Sequence, residues 1–280
     1  MSDNPESDAE RVIRPRRGFV AVDFAEIWRY RELFGFLAWR DILVRYKQTY
    51  LGIAWAVLQP FLTMVVFVLV FEKLGKFQSN GAPYAVMTFA ALLPWQFFAN
   101  ALSESSNSLV ASANMISKIY FPRLIIPASA VCSGAVDFCV GLVILLAMML
   151  GYGVPFSGKL LLLPLFLGVA VVAAFAAGVW LSALNVKYRD VKYIVPFFTR
   201  IGLYASPVAF MTGMVPERWR FWYSLNPMVG VIDSFRWCIL GAKFEPYWPG
   251  FWASLAVTLV LLVSGILYFR STEKTFADVI

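Results

Sequence analysis

Six stretches of this chain, residues 51–71, 84–103, 124–150, 160–184, 194–212 and 250–269, are apolar over about the 20 residues that a helix needs to cross a bilayer. Lipid offers no partner to a backbone N–H or C=O, so a chain with this pattern must satisfy its hydrogen bonds within helices. The expectation is an all-α membrane protein of six transmembrane helices. Composition agrees, since 15% of the 280 residues are charged against about 25% in soluble domains.

An even number of spans puts both ends on one side. Of the 24 Lys and Arg, 16 fall before residue 51, in 104–123, in 185–193 and after 269, seven fall in the alternate loops, and Arg200 lies within a span. The positive-inside rule then sets both termini of a multi-pass membrane protein in the cytoplasm. The first 50 residues carry charge throughout and no apolar core of signal-peptide length, so no cleavable signal is expected. The net charge of +7 needs no nucleic acid to explain it.

The chemistry available is limited. There is no histidine, and the three cysteines lack CxxC spacing, so neither a metal site nor a catalytic triad is expected. "LGKFQ" at Leu74 and "SGKLL" at Ser157 lack the upstream glycine and the Ser/Thr of a phosphate-binding loop, so the chain should hold no nucleotide, no catalytic residues and no cofactor. Asp137 and Arg200 are the chief ionisable residues within spans, too few for a proton relay. Asp137 reads as a hydrogen-bonded packing residue. Arg200 either snorkels to an interface or faces a cavity.

Before the first span, Phe36, Trp39, Leu43, Tyr46 and Tyr50 recur at steps of three and four, the mark of an amphipathic interface helix. "GVAVVAAFAAG", Gly168 to Gly178, offers small residues for close helix packing. The fifth span carries Phe197, Ile201, Tyr204, Val208 and Met211 on one helical stripe. "SLNPMVGVIDSFRWCILG", from Ser224, is too apolar for an exposed loop, yet its run from Met228 to Gly241 is too short to span.

Several landmarks occur in order: "WRDILVRYKQTYLGIAWAVLQP" from Trp39, "NMISKIYFPRLIIP" from Asn114, "NVKYRDVKYIVP" from Asn185, "ASPVAF" from Ala205 and "LNPMVGVIDSFRW" from Leu225. Together they resemble the ABC-2 type permease family, and within it the polysaccharide and O-antigen export permeases, from about residue 30 to the C-terminus. The resemblance implies a homodimer docked on a separate cytoplasmic ATPase, which would carry ATP and Mg, and a lipid (undecaprenyl)-linked polysaccharide as substrate, foremost O-antigen. Teichoic acid, capsular polymer and, more remotely, a small drug are the alternatives inside the family. A lipid-sugar transferase or a proton-coupled carrier would need acid or histidine constellations that are missing here.

The resemblance also assigns regions. Asn114, Lys118, Tyr120, Phe121 and Arg123 would seat a coupling helix on the ATPase. Residues 214–241 would fold back as a re-entrant hairpin, with Trp219, Trp222, Tyr223, Asn226, Pro227, Asp233 and Arg236 as its gate residues. Asn226 and Pro227 would make its turn, and Asp233 and Arg236, three apart on α-helix, would satisfy each other. Trp55, Phe61, Phe197, Arg200, Tyr204 and Val208 would line the substrate path. The expected organisation is a mobile extension at 1–29, an interface helix at 30–50, the six-span domain at 51–270 and a tail at 271–280.

Overall fold

A computed structural model describes residues 24–47, 52–76, 79 and 81–276. The expected extension up to residue 23, the last turn of the interface helix at Gln48 and Tyr50, and the end of the tail lie outside the described residues. The α-helices are α1 (Phe24–Arg29), α2 (Arg31–Lys47), α3 (Gly52–Phe67), α4 (Tyr84–Ala111), α5 (Ala113–Ile116), α6 (Ile125–Cys132), α7 (Ala135–Gly151), α8 (Leu163–Lys187), α9 (Val191–Ala205), α10 (Glu217–Tyr223), α11 (Pro227–Leu240) and α12 (Trp248–Thr272). A π-helical turn, Val68–Leu74, extends α3. No strand occurs among the described residues.

Five helical stretches are long and apolar enough to cross a membrane: Val57–Leu74, Tyr84–Ala111, Ile125–Gly151, Gly158–Lys187 and Trp248–Thr275. They make this a multi-pass membrane protein. The second is the bundle's axis, because 72% of its apolar window is buried against 17–33% in the others. Its helix, α4, packs on α3, α6, α7, α8, α9 and α11. The small residues expected to admit close approach do so at one end of their run. A Cβ on Gly178 would lie 2.7 Å from Ser105 Cβ on α4, whereas Gly168 has open space around it. On the other side of α8, a Cβ on Gly265 of α12 would meet the Ala176 carbonyl at 3.0 Å.

The expected span at 194–212 differs. Helix α9 has 15 residues, about 22 Å at 1.5 Å each, and a bilayer core is about 30 Å thick. It stops because Pro207 disfavours helical geometry at the residue before it and has no N–H to give. Ser206 is accordingly extended, at φ −98° and ψ 157°. Val208 and Met211 therefore do not continue the stripe begun by Phe197 and Tyr204.

Two subsidiary clusters close the ends of the bundle. At one, Phe121, Leu124, Ile125, Phe269 and Phe276 pack with Leu37 of α2. At the other, Tyr84, Met87 and Phe244 pack together, with Met211 and Leu240 against them.

Candidate functional site

The unwound stretch after α9 is the structural centre of the candidate site. Its carbonyls have lost their helical partners, and side chains from distant helices replace them. Arg236 of α11, 1% exposed, donates from Nη2 to the Val208 carbonyl at 2.7 Å, from Nη1 to Phe210 at 2.8 Å and from Nε to Met87 of α4 at 3.2 Å. Tyr84 donates to the Ala209 carbonyl at 2.6 Å. A guanidinium suits this task because its planar fork holds several donors in fixed directions. Arg236 does not pair with Asp233 as their spacing suggested. No ion pair joins them among the described residues, because the arginine is turned toward backbone.

Residues 217–240 hold two short helices, and α11 takes in Pro227, which the resemblance had assigned to the turn. Asn226 caps α11, its Oδ1 accepting from Met228 N–H at 3.0 Å, with Pro227 in the first turn where a missing N–H is harmless. The Asn226 amide also donates to Ser206 Oγ at 2.9 Å, tying the turn to the end of α9. Ser254 of α12 secures the same corner. Its hydroxyl donates to the Ser224 carbonyl at 2.6 Å and accepts from Gly230 N–H at 3.3 Å. Sequence reading missed Ser254 and Tyr84, since each acts on backbone far away in the chain, and Ser206, whose hydroxyl accepts from the side chain of Asn226, 20 residues on.

The gate residues divide by exposure. Trp219 and Trp222 on α10 are exposed, Tyr223 is half-buried, and Asp233 and Arg236 are buried. Trp237 is packed against Trp248, ring centroids 5.6 Å apart, with Lys159 Nζ 4.4 Å from its centroid.

The path residues also divide. Phe197 and Tyr204 are 60% and 62% exposed, Phe61 and Arg200 are exposed as well, and Val208 is fully buried in the core. The Trp55 side chain lies outside the described residues. The α3 ring that meets α9 is Phe67, stacked on Tyr204 with centroids 6.1 Å apart, rather than Phe61.

At the opposite end, the loop after α5 separates its residues in the same way. Asn114, Lys118 and Tyr120 are exposed, Tyr120 by 73%, with Ile119 beside it. Phe121, 4% exposed, belongs to the end cluster. Arg123 donates to the Glu273 carbonyl and lies 5.9 Å from the Phe276 ring centroid, holding the chain's last described turn.

Asp137 sits in the first turn of α7 and is bound by α2. It accepts from Arg45 at 2.7 Å and from the Tyr46 hydroxyl, and Arg45 reaches Glu104 of α4 at 2.8 Å. Burial and the Asp137 hydrogen bond raise the Tyr46 hydroxyl pKa well above its ordinary value, so it stays a donor. The apolar stripe of α2, by contrast, leaves Phe36, Trp39 and Leu43 exposed, and the helix docks through Leu37.

Residues 32–240 match the ABC-2 type transporter family, a span running from α2 through α11. The chain belongs to that family. Its relatives include an O-antigen export system permease protein RfbA of Myxococcus xanthus, 27% identical over 255 residues, which are 90% of this chain and 97% of that protein. A Klebsiella pneumoniae protein of the same description is 27% identical over 248 residues, 86% of this chain and 92% of its own length. Membership in this family makes the chain a membrane transport subunit.

Proposed function

We propose that this ABC-2 chain is the membrane subunit of an ATP-driven exporter that carries undecaprenyl-linked polysaccharide, O-antigen foremost, out across the bacterial inner membrane. The observation that carries the reading is the near full-length similarity to O-antigen export permeases. Two subunits together would enclose the path, and a separate ATPase would bind ATP and Mg at the cytoplasmic end.

The geometry fits this division of labour. Phe197, Ile201 and Tyr204 form a largely exposed apolar face on α9, with Phe67 of α3 against one side of the Tyr204 ring. Ring faces stack on sugar C–H surfaces without demanding one sequence, which suits a sliding polymer. Lys118, Ile119 and Tyr120 project from the loop after α5, where a cytoplasmic partner would push. In this reading α9 and the residues up to Thr212 act as the sixth span, completed by unwound backbone. Helices α10 and α11 form the re-entrant hairpin from outside, and α2 lies at the inner interface on Phe36, Trp39 and Leu43. Unwound backbone at that depth is permissible where protein covers it, and Arg236 and Tyr84 do so.

The test is co-expression of the chain's gene with that of its partner ATPase in cells lacking both. Surface polysaccharide should return only with both genes, and the purified pair should hydrolyse ATP faster in the presence of the lipid-linked polymer. Surface polymer that persists without the chain would overturn the reading.

A further inference from the structure

A cavity of about 430 Å³ opens beside the unwound stretch, between α11, the end of α10 and the 243–247 loop. Its size is that of a small-ligand site, for which about 300–1,000 Å³ is usual. Two features of its wall point to a ligand. Thr212 is 5% exposed, yet its hydroxyl lies beside Asp233 without making a hydrogen bond of full geometry. Arg220 keeps a buried Nε with no partner, although its Nη2 donates to the Gly213 and Val215 carbonyls at 3.4 and 3.3 Å. Buried polar groups in folded proteins are nearly always partnered, so an unpartnered Arg220 Nε and a Thr212 hydroxyl with only Asp233 beside it favour a polar occupant.

The charges of the wall narrow the chemistry. Arg220, Arg236 and Lys243 supply donors, while Asp233 and Glu245 supply acceptors. A site built for a phosphate would exclude the two carboxylates. A sugar uses both kinds at once, because each hydroxyl donates and accepts. The same wall carries the rings of Tyr247 and Phe244, and the Arg220 guanidinium holds Tyr247 at 5.8 Å from its centroid. Planar hydrogen-bonding groups beside an aromatic face match a pyranose, with its rim of hydroxyls and apolar C–H face.

We propose that this cavity is a sugar subsite that grips a short stretch of the polymer as it leaves the α9 face on the outward side. The proposal rests on the export reading above and adds a place where the moving chain pauses. Its location supports that order, since residues 211–214 of the wall continue directly from the unwound stretch that follows Tyr204. Arg236 would then serve two surfaces, bracing the backbone on one side and bordering the sugar on the other.

The experiment uses the purified complex with its ATPase, in a cysteine-free background carrying a single cysteine at the exposed rim residue Met214. The probe is the oligosaccharide cut by mild acid from the cells' own lipid-linked polymer, and inorganic pyrophosphate is run in parallel. Modification of the cysteine by an aqueous maleimide should slow by a factor of about ten when the oligosaccharide stands at about ten times its Kd. Pyrophosphate should give no protection. Protection should be lost in Lys243→Gln and, separately, in Thr212→Ala, each eluting as the wild-type complex does. Absence of oligosaccharide protection, or protection by pyrophosphate alone, would overturn the sugar subsite. Export that stays intact with the cavity unprotected would sink only the subsite. Surface polymer that persists without the chain would sink the export reading, and this proposal with it.

Discussion

Helices α9 and α11 have nearly the same length, 15 and 14 residues, and lie on either side of one break, yet they are opposite in surroundings. On α9 only Val191 and Val195 are buried, and the exposed remainder includes the rings of Tyr193, Phe197, Phe198 and Tyr204. On α11 eleven residues are buried, including an arginine and an aspartate. A helix too short to span either lends one face to something outside the subunit or becomes internal support. Here each solution occurs once, and the support holds the break that makes the other helix short.

The largest effect should follow from removing that support. Arg236→Met keeps bulk and loses all three hydrogen bonds, leaving the Val208 and Phe210 carbonyls without this donor in a buried place. An unsatisfied buried group costs about 1–3 kcal/mol, against a total stability of roughly 5–15 kcal/mol for a typical domain. The variant should fail to give a monodisperse peak from detergent. A wild-type elution profile and melting temperature would show that α11 supports nothing.

A smaller loss is expected where α11 meets α12. A Cβ on Gly230 would stand 3.1 Å from Phe251 Cα and 3.2 Å from Ser254 Cβ, and backbone cannot swing aside as a side-chain tip does. Gly230→Val should therefore lower stability by about 1–3 kcal/mol through overpacking. Thermal denaturation of the detergent-solubilised protein checks it, and an unchanged midpoint would mean that α11 sits loosely enough to move as a lid.

The contrast between the helices also marks what the sequence could reveal. Apolar length announced the bundle, and the aromatic steps at Phe197 and Tyr204 announced the face that is indeed exposed. Asn226 and Pro227, expected only as a turn, instead cap and open α11. The end of α9 was written locally, in Ser206 and Pro207, but the apolar run through Phe210 concealed it. Arg236 was out of reach for a different reason. Its partners are carbonyls, identical in every residue, and they are available only because the chain unwinds elsewhere. Side chains that serve backbone leave no pairing pattern to read, and the same holds for Tyr84 and Ser254. Phe121 and Tyr120 were indistinguishable as neighbours in a loop, since only packing tells which of the two rings turns inward.

On α9 the expected result is reversed, with stability kept and transport lost. Phe197→Ala with Tyr204→Ala removes rings that are mostly exposed, so the melting temperature should stay near wild type. If the rings carry polymer, two lost faces at roughly 0.5–1.5 kcal/mol each correspond to a fall in export of about tenfold or somewhat more. Quantifying surface polysaccharide against membrane-inserted protein separates the two. Normal export in the double variant would make the face a contact for lipid or for the second subunit.

The smallest effect asks what part of Tyr204 matters. Its ring stacks on Phe67 at an interplanar angle of 10°, which leaves the other face free for a ligand, and no hydrogen bond of its hydroxyl is among the side-chain bonds of the described residues. A polymer that slides must release each sugar readily, so broad ring contact serves it better than a directed hydrogen bond, whose partner must be desolvated and matched at every step. Tyr204→Phe should then export within about twofold of wild type, the effect of a substitution worth no more than ~0.5 kcal/mol. A fall as large as that of Tyr204→Ala would assign the work to the hydroxyl and replace a stacking wall with a hydrogen-bonding one. Measured beside the subsite variants, it would also tell whether polar recognition is confined to the cavity beyond the break or begins already on α9.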